Sequence, residues 1–284
     1  MLPATLLREY FTSERFDRVP ESDLIMDSEE AVSAFARAGQ PNGILSGVYA
    51  FFVENACRMI RPGDRVLDLG CGPGLLLQSI AALNPDSTFV GVDYSDTMIG
   101  RCNESLRARG LHNVRFHIDD MTNLPSLPAR SVDVVLSSMA MHHLPDTSAL
   151  HACFHAIERV MAPDGRIFVA DFGRLRSLKS IEYFVRRAIP PGEPRLEQDY
   201  RASLRAAFST EEFIQAFSAP MKQRFSLYST AVTPMMIVVM TPFPESPRGG
   251  KRISSPVVRP GPSCRRADYR QLKLSFRLGG MPTK

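Results

Sequence analysis

From Arg65 onward the chain alternates two kinds of apolar pattern. Short, nearly continuous apolar runs appear at RVLDLG (65–70), TFVGVD (88–93), NVRFHI (113–118), VDVVLSS (132–138) and GRIFVAD (165–171). Runs of this length without polar alternation predict strands covered on both faces. Between them LLLQSIAAL (75–83), SDTMIGRCNESLRARG (95–110) and SALHACFHAIERVM (148–161) repeat apolar residues at helical spacing. Asn84–Pro85 and Pro163–Asp164–Gly165 supply the breaks. Alternating strand and helix predicts a parallel sheet with helices on both faces. The pattern then changes. Residues 174–217 read as a helical insert. KQRFSLYS (222–229) and MMIVVMT (235–241) follow as strands joined by a connection too short for a parallel crossover, so they should close the sheet as an antiparallel hairpin.

Upstream, DSEEAVSAFARAG (27–39) and ILSGVYAFFVENACRMI (44–60) carry helical periodicity, and the latter puts Tyr49, Phe52 and Met59 on one stripe. The expected organisation is an N-terminal helical cap or lid over 1–61, an α/β domain over 62–241, and a tail over 242–284. The fold class is a Rossmann-like, seven-stranded, mostly parallel sheet with an antiparallel closing hairpin. The tail is rich in proline and arginine without sustained period and reads as mostly disordered. Within it QLKLSFRL (271–278) alternates as a short edge strand would.

Charge sharpens this division. The net charge of +4 conceals ten basic residues against two acids in the tail, so the preceding body is mildly acidic. The body therefore presents no basic face of the kind nucleic acid requires. No apolar run approaches the ~20 residues of a membrane helix. The N-terminal MLPATLLREYF lacks signal-peptide features. Five scattered cysteines with no CxxC pair fit reduced thiols in the cytoplasm better than a disulfide framework or a metal site. His151 and His155 stand four apart on a predicted helix, but without a third ligand they read as a solvated face, and no metal site is expected.

The chemistry concentrates in RVLDLGCGPGL (65–75). Gly70, Gly72 and Gly74 follow the first strand, at the crevice where an open parallel sheet takes its ligand. A dinucleotide would bring a pyrophosphate, which wants bare backbone N–H groups and a helix N-terminus. Asp68 would repel it. A carboxylate there suits a ligand with positive charge, such as S-adenosylmethionine, with its sulfonium, its α-amino group and no phosphate. Asp93, at the end of the second strand, is placed for a ribose diol. Asp120, after the third strand, can accept from an adenine amino group, and Met121 N–H can donate to a ring nitrogen.

VLDLGCGPG, GVDYSDTMI, FHIDDMTNLP, VDVVLSSMAMHHLPD and RVMAPDGRIFVAD, in that order, resemble a class I S-adenosylmethionine-dependent methyltransferase. The resemblance runs from about Arg61 to Asp171 and extends weakly to Thr241. It implies that Asp68, Gly70, Cys71 and Gly72 surround the methionine part of the cofactor. Asp93 and Tyr94 would hold the ribose, Asp120 and Met121 the adenine, and Ser137 and Ser138 the floor beneath the methyl. Asp119 stands where glycine is common, and register favours Asp120 for adenine. It implies in-line methyl transfer but says little about the acceptor. The compact body and helical lid suggest a small molecule or short peptide, and the charge and hydropathy readings above disfavour a nucleic-acid partner and a membrane.

The acceptor's contacts are less marked. His142 and His143, just beyond the fourth strand, are the candidate bases, His143 ahead of His142. Asp171, Tyr183 and Tyr200 are the candidate substrate contacts, the tyrosines from an insert that such folds use as a lid. Two other classes compete. A cofactor-binding subunit without transfer activity would keep the same motifs. A nicotinamide dehydrogenase is disfavoured by GxGxG in place of GxGxxG, by Asp68 and by Asp120.

Overall fold

The structure, a computed structural model, describes residues 2–12, 16–21, 33, 37–40, 43–244 and 266–282. Its seven strands are β1 (Arg65–Leu69), β2 (Thr88–Asp93), β3 (Val114–Ile118), β4 (Val132–Ser138), β5 (Met161–Phe172), β6 (Ser226–Ser229) and β7 (Met236–Met240). They form one sheet in the order β3-β2-β1-β4-β5-β7-β6. The first five are parallel; β7 lies antiparallel between β5 and β6. Strand order reverses at β1, which pairs with β2 on one side and β4 on the other, so the crevice opens above its carboxyl end.

Ten α-helices are described: α1 (Leu2–Phe11), α2 (Ser46–Met59), α3 (Leu75–Leu83), α4 (Asp96–Arg109), α5 (Thr147–Val160), α6 (Leu178–Ala188), α7 (Pro194–Ala206), α8 (Thr210–Ala216), α9 (Ala219–Arg224) and α10 (Arg266–Leu278). The strands feed two cores by simple alternation. Val66, Val134, Leu136, Phe168 and Val238 face α2, α3, α4 and the insert helices α6 and α7. Leu67, Leu69, Val135, Ile167, Val169 and Val239 face α5, α8 and α9. Local signals set the helix ends. Ser95 Oγ accepts from Met98 N–H, Asp146 Oδ1 from Ala149 N–H, and Gly110 closes α4 in the left-handed region at φ 63°.

Several expectations change. The hairpin's first strand was expected from 222. Ser218 instead caps a helix with Pro220 in its first turn, so 219–224 is α9 and β6 keeps only four residues. The helix expected over 27–39 lies outside the described residues apart from its end. Helix α2 is a covering layer of the sheet rather than a lid: Phe52 meets Phe168 with ring centroids 5.3 Å apart. The largest difference is 271–278, which is helical. Tyr269, Leu272 and Phe276 recur at helical spacing, and α2 offers them a face. Phe276 stacks on Phe51 at 5.1 Å, and Lys273 Nζ reaches Glu54 Oε1 at 2.7 Å. Period-2 alternation was present but was not used to pair with a sheet edge; the 3.6-residue set had a partner. Residues 266–282 are therefore a docked element, not part of a disordered tail.

Candidate active site

The turn after β1 depends on its glycines. Gly70, Gly72 and Gly74 have φ of 65°, 53° and 71°. A Cβ on Gly70 would stand 2.3 Å from Ala140 Cβ, so the turn after β1 and the turn after β4 close on each other only because Gly70 has none. Three backbone donors of this turn are already used. Cys71 N–H bonds Val92 O at 3.0 Å, Gly74 N–H bonds Cys71 O at 3.1 Å, and Gly72 N–H bonds Asp93 Oδ2 at 2.8 Å. A pyrophosphate needs such N–H groups unspent, so these three are not offered to a phosphate.

Its polar wall is acidic and incomplete. Asp68 is 3% exposed, and its Oδ1 is buried without a hydrogen-bond partner; so is Ser138 Oγ at the end of β4. Both residues line the cleft, with Tyr49, Tyr94, Met98, Met121, Met139 and His143. Burial, with the Asp93 charge adding to it, pushes the Asp68 carboxyl up to about 7. Asp93 is better satisfied. Its Oδ1 accepts from Ser95 N–H at 3.0 Å while Oδ2 takes Gly72 N–H, which locks the carboxylate across the turn. Burial still raises it above the ordinary range against those bonds.

On the other side, the His143 wall is backed by a saturated network. Met141–His143 is a short 3₁₀ turn after β4. Asp171, fully buried at the end of β5, accepts from Met141 N–H at 2.7 Å, Phe172 N–H at 2.6 Å and the His142 ring Nδ1 at 2.7 Å. Glu21, from the N-terminal segment 16–21, sits on both histidines. Its Oε2 is 3.0 Å from His143 Nδ1, and its Oε1 is 3.7 Å from His142 Nε2. Ser203 of α7 donates to Glu21 Oε1 at 2.8 Å. Arg18 pins the segment, donating to the carbonyls of His142, Leu144, Pro145 and Ala206 and stacking on Phe208 at 3.9 Å. Burial alone would raise Glu21, but the His143 hydrogen bond and the charges of His143 and His142 hold it down at about 2. For His143, burial is outweighed by the bond and charge of Glu21, and its ring is pushed above the ordinary imidazole value.

A family model described as "Methyltransferase domain" matches residues 60–208, from the start of the sheet to the end of the insert helix α7. The chain belongs to this methyltransferase family. A nocamycin O-methyltransferase of Saccharothrix syringae is 36% identical over 134 residues, 43% of this chain and 46% of that protein. A 27-O-demethylrifamycin SV methyltransferase of Amycolatopsis mediterranei is 32% identical over 156 residues, 52% of this chain and 54% of that one. The chain thus spans about half the length of these curated relatives. Among solved structures, the plantazolicin methyltransferase BpumL in complex with SAH aligns with a TM-score of 0.55 at 15% identity, covering 84% of this chain and 95% of that one, and shows the shared fold.

In this methyltransferase-family chain the positions expected from sequence separate into three sets. Asp68, Gly70, Cys71, Gly72, Asp93, Tyr94, Met121 and His143 line the cleft. Ser137, Asp120 and His142 stand behind it. Ser137 donates to Leu69 O at 2.9 Å, and Asp120 Oδ1 accepts from Thr122 N–H and Oγ. Asp119 is turned to Ser126. The proposed substrate contacts do not reach the cleft wall. Asp171 is consumed by the histidine turn, Tyr200 packs edge-on to Phe172 at 5.6 Å, and Tyr183 packs on Phe184. Cys71 lines the cleft as an inert thiol, its titration raised by burial and by Cys102. Tyr49 and Glu21 were missed: Tyr49 reads as one more stripe residue of α2, and Glu21 carries no periodic signal at all.

The residues present fit S-adenosylmethionine. A buried carboxylate oxygen and a buried hydroxyl, both without partners, face a glycine turn three of whose N–H groups are spent. That donor set suits a cationic, phosphate-free nucleoside.

Proposed function

We propose that this methyltransferase domain binds S-adenosylmethionine and directs its methyl group to a hydroxyl of a small molecule or short peptide. The observation that carries the reading is the unpartnered Asp68 Oδ1 in the cleft. A buried carboxylate left without a partner costs free energy that a cationic ligand would recover. Asp68 and Ser138 would hold the methionine end of the cofactor, Asp93 and Tyr94 its ribose, and Met121 its adenine. When bound, the cofactor supplies a methyl group activated by a positively charged sulfur.

The chain's own residues supply position and proton handling. The two glycine-linked turns bring Ala140 and Met139 over the cofactor side of the cleft, and His143 stands at its mouth. His143 would accept the hydroxyl proton of the acceptor. Segment 16–21 and helix α7 cover the histidines and keep water from the reacting groups. The relatives' names, which specify O-methylation for nocamycin and for a 27-O position, support a hydroxyl acceptor of secondary-metabolite size. The acidic body supports neither nucleic acid nor a membrane surface as substrate.

Calorimetry with S-adenosylmethionine, its demethylated product and NAD tests the cofactor. Micromolar binding of the first two and none of the third is expected; binding of NAD would sink the reading. Incubation of methyl-labelled cofactor with metabolite extracts, followed by mass spectrometry, tests transfer. Cofactor binding without any labelled product would favour a non-catalytic subunit.

A further inference from the structure

We propose that Glu21 is a positioning residue for the base: it fixes the His143 proton on Nδ1 and so leaves the basic Nε2 for the acceptor. This rests on the methyl-transfer reading above, which gives His143 its role.

The geometry is directional. Glu21 is ionised, held at about 2 by its partners, so its carboxylate accepts and cannot donate. The 3.0 Å contact at His143 Nδ1 therefore requires the ring hydrogen on that nitrogen. A neutral imidazole has one donor and one acceptor nitrogen, so above its raised titration Nε2 is the lone-pair nitrogen of a ring that lines the cleft. Glu21 is itself held from two sides: Ser203 of α7 donates to Oε1, and Arg18, three residues upstream, is tied to four carbonyls. The charged and titratable groups around His143 are Glu21 on the N-terminal segment, Asp171 on β5, Asp93 at the end of β2 and His142 beside it in the turn. Asp171 is committed to His142 Nδ1 and the turn's N–H groups, and Asp93 to Gly72 and Ser95. Among the described residues, Glu21 holds the one carboxylate at hydrogen-bond distance from the His143 ring, while the His142 ring packs on it at 4.3 Å.

The proton balance follows. When the acceptor hydroxyl gives its proton to Nε2, the ring becomes an imidazolium with hydrogens on both nitrogens, and Glu21 remains an anion beside it. The ring returns the proton to water after product leaves. Glu21 thus sets the tautomer before the transfer and balances the charge during it, and it does so from a segment outside the α/β sheet.

The test reads the imidazole rather than turnover, so it needs neither cofactor nor acceptor. The full chain, labelled with ¹⁵N-histidine, is followed by long-range ¹H–¹⁵N spectra across pH, with His143→Asn and His142→Asn assigning the signals. In the wild type the neutral His143 ring should carry its hydrogen on Nδ1, and its titration should lie above that of a free imidazole. Glu21→Gln should lower that titration by about one pH unit or more and mix the two tautomers. Cofactor affinity by calorimetry should stay within about twofold, because Glu21 does not line the cofactor wall. An Nε2–H tautomer in the wild type overturns the proposal, whether or not any variant folds. So does a Glu21→Gln spectrum unchanged at His143. A wild-type spectrum that shifts on adding EDTA also overturns it, because Glu21, His142 and His143 would then be holding a divalent cation. If calorimetry finds no cofactor binding while the tautomer is as stated, the methyl-transfer reading fails and the Glu21 contact stands.

Discussion

The two walls of the cleft are opposites. On the β1 side, Asp68 Oδ1 and Ser138 Oγ are buried and unpartnered. On the histidine side, Asp171, His142, Glu21, His143 and Ser203 satisfy one another, with side-chain contacts of 2.7 to 3.0 Å. Both walls bury carboxylates, yet burial raises Asp68 to about 7 while its partners hold Glu21 at about 2. A buried polar group is costly until something pairs with it. The unfinished wall therefore points to what comes from outside, and the finished wall to what the protein must hold in one arrangement beforehand.

The comparison breaks most visibly at Asp93. It spans the two turns' shared backbone and is the candidate ribose partner, so Asp93→Ala removes two charge-assisted bonds to the ligand and frees Gly72 N–H. A loss of about 3–4 kcal/mol in cofactor affinity, some hundredfold or more, is expected by calorimetry. Retained affinity would mean that the ribose does not lie there.

Asp68→Asn comes next, and its pH dependence carries a sign. The folded carboxyl titrates at about 7, above its unfolded value, so its favourable contribution is full at low pH and is lost as pH rises through about 7. The free wild-type protein should thus lose stability between about pH 4 and 7 from this group. Asp68→Asn should match it at the acid end and melt higher at pH 8. Cofactor binding runs the other way, because a cationic ligand needs the ionised form. Affinity of the wild type should weaken below about pH 7, with a proton released on binding, and Asp68→Asn should cost about 2–3 kcal/mol of binding and abolish that proton release. Calorimetry in buffers of differing ionisation enthalpy reads both. A variant that destabilises the free protein at pH 8 would show that Asp68 is paired after all.

The contrast between walls also marks how far the sequence could be read. The five parallel strands, the reversal at β1 and the glycine turn were legible, because apolar run length and strand-ending glycines are local signals. Asp68 and Asp93 were legible for the same reason: each ends, or nearly ends, a strand whose position was already known. What could not be read were side-chain directions set by tertiary partners. Asp171 stands at a strand end like Asp93, but the N–H groups of residues 141 and 142 turn it inward. Glu21 lies in a segment without period, and its role appears only when Arg18 pins that segment to the β4 turn. For 271–278 two periods competed, and the choice fell to a partner, α2, some two hundred residues away in sequence.

Arg18→Ala probes the finished wall from outside the cleft. It strips donors from four carbonyls and a stacking contact from Phe208. A loss of about 2 kcal/mol in unfolding free energy is expected, with proteolytic sensitivity rising in residues 16–21 first. Cofactor affinity should change little. An equal loss of cofactor binding would show that the two walls are not separable.

The smallest effects give the sharpest contrast, because they compare one hydroxyl with another. Ser138 Oγ is buried without a partner, whereas Ser203 Oγ donates to Glu21 at 2.8 Å and backs onto Asp199 O at 3.1 Å. Removing an orphaned hydroxyl relieves a desolvation penalty; removing a bonded one exposes its acceptor. Ser138→Ala should leave the free protein as stable or up to about 1 kcal/mol more stable, and should weaken the cofactor by a comparable amount. Ser203→Ala should destabilise the free protein by about 1 kcal/mol and leave cofactor binding alone. Thermal melts with and without cofactor distinguish the two. If the signs come out alike, the division into an unfinished and a finished wall fails, even if each residue's contacts are as described.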